Sequence, residues 1–307
     1  MGNKMKMTSS AKSWEELTLA DNFIFCKIME SNPDLCKHLL EILLHIEIDH
    51  LEAPQAERTF QESIDSKSVR FDVYTKDDER IFDLEIQTTK KKNLPKRARY
   101  YHSVIDVSNL HAGVNYKELK ETYIIFICLG DVFGKGLPVY SFENICSEDK
   151  TTKLNDGAYK IFFNASDCDK IESADEKAFF KFLKGDSADD EFTKHLEEKV
   201  LLAKKNLEWR NQYMTIREAF DEEIEEAVEA RVAEIVEERV AEAVEAKVAE
   251  AVEGAVTEAK AVAYEDGLSE GERNKAIETA RNFLKMGLTV QQIAQGTGLS
   301  EEEIAAL

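Results

Sequence analysis

The chain has 307 residues, of which 61 are Asp or Glu and 40 are Lys or Arg, a formal net charge of −21. Taken whole, that balance excludes a simple nucleic-acid coat or a binder of anionic membrane surfaces. The charge is unevenly spread, however: residues 216–307 hold 23 acidic and nine basic side chains, a net of −14, whereas residues 1–215 have a net of −7 and hold both tryptophans, Trp14 and Trp209. An apolar content of 43% is enough to bury a core, and the length suggests about two domains.

The polar start MGNKMKMTSS lacks the apolar run of a signal peptide, and no stretch approaches the roughly 18 apolar residues of a membrane span. Five cysteines (Cys26, Cys36, Cys128, Cys146 and Cys168) show no CxxC spacing and lie mostly in apolar segments, as reduced thiols do. The expectation is a cytoplasmic protein with no membrane partner.

In chain order, residues 14–46 read as two helices, SWEELTLADNFIFCKIM and SNPDLCKHLLEILLHI, with Ser31 or Asn32 as a cap and Pro33 in the first turn of the second. From about 46 to 87 the period changes to two. SVRFDVYTKDDERIFDLEIQ alternates on both sides of the acidic turn Asp77, Asp78 and Glu79, which predicts a β-hairpin. Pro95 opens a helix predicted over 94–112, with Gly113 as its stop. ETYIIFICLG is a short continuous apolar run, the pattern of a buried central strand. VYSFEN (139–144) and YKIFFN (159–164) are two further strand candidates, and helices follow from about 175. This order points to an α/β mixed sheet flanked by helices.

The tail differs in kind. EAVEARVA, EIVEERVA, EAVEAKVA and EAVEGAVT, residues 226–257, are four consecutive octads with Val at the third and seventh positions. Eight residues turn an α-helix by about 800°, so the apolar stripe advances about 80° per octad and wraps around the axis. A solvated helical spacer is the first reading; a homo-oligomer joined through the 222–262 helix is the second. At the end, residues 289–295 and 300–306 form two short helices around GTG with Ser300 as a cap, a helix-turn-helix layout. Its candidate recognition helix opens with Glu301, Glu302 and Glu303, which repel phosphate, so packing or a protein contact is the expected role.

In the hairpin, strict alternation sets Phe71 and Val73 on one face and Asp72 on the other, and sets Phe82, Leu84 and Ile86 opposite Asp83, Glu85 and Gln87. Matching the apolar faces brings Asp72 beside Glu85, directly across or one diagonal step away. Two converging carboxylates repel unless a cation or a proton lies between them, and hard oxygen ligands suit Mg²⁺ or Mn²⁺. Beside them, Lys90, Lys91, Lys92, Lys96, Arg97 and Arg99 occur with no acidic residue between Thr88 and Ile105, and Lys67 and Arg70 precede Asp72. Such a local basic patch, rather than net charge, is what phosphate contact requires. Tyr101 reads as a core aromatic whose hydroxyl could reach the site. Glu41 is a further carboxylate, read first as a helix-surface residue. No GxSxG, GxxxxGK[ST] or GxGxxG is present, so serine-hydrolase and P-loop readings drop out.

Asp72, twelve intervening residues, Glu85-Ile86-Gln87, the basic aromatic helix PKRARYY and the segment GVNYKEL together resemble the Rpn family of recombination-promoting nucleases and transposase-like proteins, within the PD-(D/E)XK nucleases. The resemblance extends to DNFIFCKIM, LLEILL and GLTVQQIAQGTGLSEEEIAAL, and so to most of the chain. It implies a restriction-endonuclease-like mixed sheet flanked by helices over residues 10–185, a long helical extension over 186–265 and a small helical C-terminus over 270–307. It implies a metal-dependent DNA endonuclease in which Asp72 and Glu85 are the catalytic, metal-binding carboxylates, with Mg²⁺ or Mn²⁺ as cofactor. Gln87 stands where the wider superfamily usually has lysine, although the Rpn-like pattern itself has glutamine there. A neutral glutamine positions but does not supply charge, so more of the work falls on the metal. DNA contact is expected from Lys67, Arg70, Lys96, Arg97, Arg99 and Tyr101. The alternative is a non-catalytic or self-assembling DNA-associated protein with a weak or vestigial nuclease site.

Overall fold

A computed structural model describes residues 12–60, 68–89 and 93–307. Lys67 and Lys90, Lys91 and Lys92 lie outside the described residues. After a short 3₁₀ turn at Trp14–Glu16 come α1 (Asn22–Ser31) and α2 (Pro33–Leu44). Asn32 caps α2 with Pro33 in its first turn, and His45, in the left-handed region at φ 54°, closes it by donating its N–H to the Glu41 carbonyl.

The hairpin is β2 (Val69–Lys76) and β3 (Arg80–Gln87), and its turn is where the sequence put it. Asp77 makes that turn: its Oδ1 accepts from the amides of Glu79 and Arg80, and its Oδ2 accepts from Arg80 Nε at 2.7 Å. One strand had not been anticipated, β1 (Gln55–Phe60), which pairs antiparallel with β2. After the hairpin come α3 (Leu94–Asn109), β4 (Glu121–Cys128), β5 (Val139–Phe142), β6 (Ala158–Asn164) and α4 (Ala174–Lys184). α3 ends at Asn109, three residues before the predicted end at 112, and Gly113 follows at φ 87°.

These strands form a mixed six-stranded sheet in the order β1-β2-β3-β4-β6-β5. β3, β4 and β6 are mutually parallel, and β5 returns antiparallel along β6. One face packs on the helical layer through Val73, Leu84, Ile86, Ile125, Ile127 and Phe163, against Phe25, Met29, Leu40 and Phe180. The other packs on α3 through Tyr74, Ile124, Phe126 and Phe162, against Leu94, Ala98, Tyr101 and Ile105.

Strict alternation fails at one place. Val73 belongs to the first cluster but Phe71 to the second, so these two do not share a face as the alternation predicted. The crossover falls on Asp72, opposite Glu57, whose backbone has φ 52° in β1. A local break in the ladder of this kind re-aims a side chain.

Two compact units are present, Met1–Asp221 and Glu222–Leu307. In the first, α5 (Glu191–Lys205) and the start of α6 (Leu207–Lys285) join the core: Phe192 and Leu196 are buried, Trp14 Nε1 donates to the Lys204 carbonyl at 3.0 Å, and Tyr213 packs on Trp14 and Phe23. In the second, the end of α6 packs with α7 (Val290–Thr297) and α8 (Glu301–Ala305) around Ala280, Ile293, Leu299 and Ile304. Ser300 caps α8 as the sequence indicated, accepting from the Glu303 amide. Along the octads, Val228 to Val256 stay exposed. Among the described residues no helix is long and apolar enough to cross a membrane, and all five cysteines are free thiols.

Candidate active site

The break at Asp72 builds the site. The Asp72 amide donates to Glu85 Oε1 at 3.1 Å, and the Ile86 amide donates to Asp72 Oδ2 at 3.1 Å. Each carboxylate thus bonds the backbone of the neighbouring strand, in a reciprocal exchange across β2 and β3. Asp72 Oδ1 accepts from Asn22 Nδ2 at 3.1 Å. Cys26 Sγ lies 2.8 Å from Asn22 Oδ1 and 3.2 Å from the Asp72 carbonyl. Asn22 and Cys26, both on α1, therefore brace Asp72, and neither was anticipated as a site residue. A polar residue in the first turn of a helix is too common a feature to have flagged Asn22 alone.

From the other side α3 delivers Arg97. Its Nη2 donates to Glu85 Oε2 at 2.6 Å and its Nη1 to Gln87 Oε1 at 3.3 Å. Tyr101, one turn further along the same helix, accepts from Arg97 Nε at 3.2 Å and Nη2 at 2.7 Å. The guanidinium also lies 5.0 Å from the Tyr101 ring centroid and 5.4 Å from that of Phe126. Gln87 Nε2 donates to the Ile86 carbonyl at 2.8 Å.

Burial sets the electrostatics. Glu85 and Asp83 have no exposed surface, and Asp72 is buried. Burial pushes the Glu85 carboxyl up to about 8, with the Asp72 charge adding to the effect and Arg97 opposing it. Asp72 is raised by burial, against the pull of the Ile86 and Asn22 hydrogen bonds. Asp83 is raised well above the usual range by burial and by Glu85 and Asp72, and neither of its carboxylate oxygens has a hydrogen-bond partner among the described residues. Register places Asp83 opposite Tyr74 and beside Ile124, on the sheet face that α3 covers.

The donor set suits a hard divalent cation. Two buried carboxylates resist ionising together, Asp83 adds an orphaned acid, and each oxygen of Asp72 and Glu85 accepts one hydrogen bond and retains a second lone pair. Among the described residues no cluster of three or more His, Cys, Asp or Glu side chains is arranged around one metal position. A two-carboxylate set is the kind that Mg²⁺ completes with waters and substrate phosphate.

The other anticipated residues divide into two groups. Gln87, Arg97 and Tyr101 join Asp72 and Glu85, as described above. Lys96 and Arg99 are exposed on α3, and Arg70 is exposed on β2 with Glu57 3.6 Å away. Glu41 accepts from the Ile48 amide and lies near Lys37 and His38, away from the carboxylate pair. A cleft of about 380 Å³ lined by His45, Lys170, Glu172 and Glu176 holds none of the site residues.

The profile described as PD-(D/E)XK nuclease family transposase matches residues 22–238, and that of the Rpn/YhgA-like nuclease family, C-terminal HTH domain, matches residues 273–307. No curated protein and no solved structure matches the chain. The first match takes in more than half of the chain, including every residue of the carboxylate site. The mixed sheet between helical layers agrees with it, and the chain belongs to the PD-(D/E)XK nuclease family transposases, of the Rpn kind.

Proposed function

We propose that the chain is a metal-dependent DNA endonuclease that hydrolyses phosphodiester bonds at the Asp72–Glu85 pair. The observation that carries this reading is the reciprocal bonding of the two buried carboxylates across β2 and β3, next to a basic helix. Asp72 and Glu85 would hold Mg²⁺ or Mn²⁺. When bound, such an ion lowers the pKa of its water and polarises the phosphate. Asn22 orients Asp72, and Gln87, uncharged, orients the water or a metal ligand. Lys96 and Arg99, exposed on the helix that carries Arg97, and Arg70, exposed on the strand that carries Asp72, supply phosphate contacts along the DNA strand.

The test is nicking of supercoiled plasmid by purified protein with and without Mg²⁺, alongside Asp72→Asn and Glu85→Gln. These isosteric changes keep most of the strand hydrogen bonds while removing a charge. We expect cleavage that needs the metal and falls by at least about 10²-fold in either variant; equal cleavage by all three proteins removes the assignment.

A second reading has one observation in its favour. Val228, Val232, Val236, Val240, Val244, Val248, Val252 and Val256 form an exposed apolar stripe that winds around α6, a surface open to self-association. Sedimentation of the full chain and of a version lacking residues 222–262 separates the two, and an unchanged association state after the deletion excludes self-assembly through this helix.

A further inference from the structure

The site is short of one charge. In the family's motif, PD-(D/E)XK, lysine follows the second acid by two residues, but here the sequence reads Glu85-Ile86-Gln87. When water attacks a phosphodiester, the new P–O bond forms as the bond to the leaving oxygen breaks, and negative charge grows on the non-bridging oxygens. A fixed cation aimed at those oxygens stabilises the transition state more than the ground state. Gln87 cannot do this.

Arg97 lies where that charge is missing. Its Nη1 is 3.3 Å from the tip of Gln87, and a lysine side chain is one atom longer than glutamine. Its Nη2 bonds Glu85 at 2.6 Å, so the same guanidinium spans the second acid and the third motif position. Tyr101 and the ring of Phe126 fix its plane. Of its five N–H bonds, four are committed among the described residues, to Glu85, to Gln87 and twice to Tyr101. The fifth is on Nη1, beside Gln87, and 23% of the side chain is exposed.

We propose that Arg97 is the catalytic cation of this site, reaching from α3 to the position of the motif lysine and giving its remaining N–H to a non-bridging oxygen of the scissile phosphate. This rests on the nuclease reading above. It also separates Arg97 from Lys96 and Arg99, which contact the strand at large. A guanidinium keeps its proton in proteins. Arginine therefore acts here by charge and position; the attacking water gives up its proton to solvent, and the leaving oxygen takes one from solvent.

The test moves the charge back. Full-length wild type, Arg97→Met, Gln87→Lys and the Gln87→Lys/Arg97→Met double variant are compared for plasmid nicking, for Mn²⁺ binding by electron paramagnetic resonance and for thermal melting. Arg97→Met should lose about 10²–10³-fold in kcat while still binding Mn²⁺. The double variant should regain at least about tenfold over Arg97→Met, because a lysine at 87 then reaches the vacated place. Gln87→Lys alone should fall below wild type, since two cations crowd one position.

A double variant that folds and binds Mn²⁺ but is no more active than Arg97→Met overturns the proposal, as does an Arg97→Met protein as active as wild type. If Arg97→Met does not fold, the same swap is read against Arg97→Gln, which can still donate to Glu85. A wild type that cleaves while the swap fails removes only the Arg97 assignment. A wild type that cleaves nothing with either metal removes the nuclease reading and this proposal together.

Discussion

At the scale of single residues the site is a concentration of charge that folding alone does not favour. Glu85, Asp72 and Asp83 are all raised in the folded chain, so each binds protons more readily folded than unfolded. Their contribution to stability is fully present below the ordinary carboxylate range, near pH 4, and is lost as the pH rises towards the value of about 8 reached by Glu85. In chelator, the melting temperature should therefore fall between pH 5 and pH 8.5, and saturating Mg²⁺ should flatten that slope. Asp83→Asn, with the same shape but no charge, should raise the melting temperature at pH 8 and change it little at pH 5. Differential scanning fluorimetry across the pH series measures both effects. Asp72, Glu85 and Gln87 were legible in the sequence because hairpin alternation and motif spacing converge on them. The loneliness of Asp83 was not, since a missing partner is a property of the packed interior. Nor were Asn22 and Cys26, which the fold brings from α1 to a strand 50 and 46 residues away.

At the scale of elements, the turn and the long helix each make a prediction. Asp77 is buried and accepts three hydrogen bonds that hold β2 to β3. Asp77→Ala should cost about 1–3 kcal/mol in urea unfolding, with the secondary structure retained. α6 runs through Gly254, Gly267 and Gly271, and a Cβ built at any of the three meets nothing within 4 Å. Alanine at each should stabilise the helix by about 0.5–1 kcal/mol, read by circular dichroism on heating. Most elements were legible because their periods are clean: the two N-terminal helices, the hairpin, the apolar run of β4 and the octads. β1 was missed because QAERTF carries little apolar alternation. It is an edge strand, and Arg58 covers its aromatic side, lying 4.4 Å from the Phe60 ring centroid and 4.5 Å from that of Tyr74. The switch of faces at Asp72 was invisible for a related reason, because alternation read from sequence assumes an unbroken ladder.

At the scale of the whole molecule, charge is partitioned between a less acidic first part and a strongly acidic tail. Like charge at a distance acts through the solvent and is screened by salt within about 10 Å at 0.1 M ionic strength. Removal of residues 222–307 should thus tighten DNA binding at low salt and alter it little at high salt, as measured by fluorescence anisotropy. Lys96→Ala and Arg99→Ala should each reduce the slope of log affinity against log salt by about 0.9. The reciprocal bonds at the acid pair bear on how such a chain drifts over generations. Asp72 and Glu85 each receive a main-chain amide of the neighbouring strand, so replacing either by an apolar residue would leave a buried donor unpaired, whatever their charges cost the fold. Lys96 and Arg99, exposed on α3, have no such structural duty. In a lineage released from selection for cleavage the basic residues would erode first, and an acid pair standing without them would mark a scaffold that has outlived its chemistry.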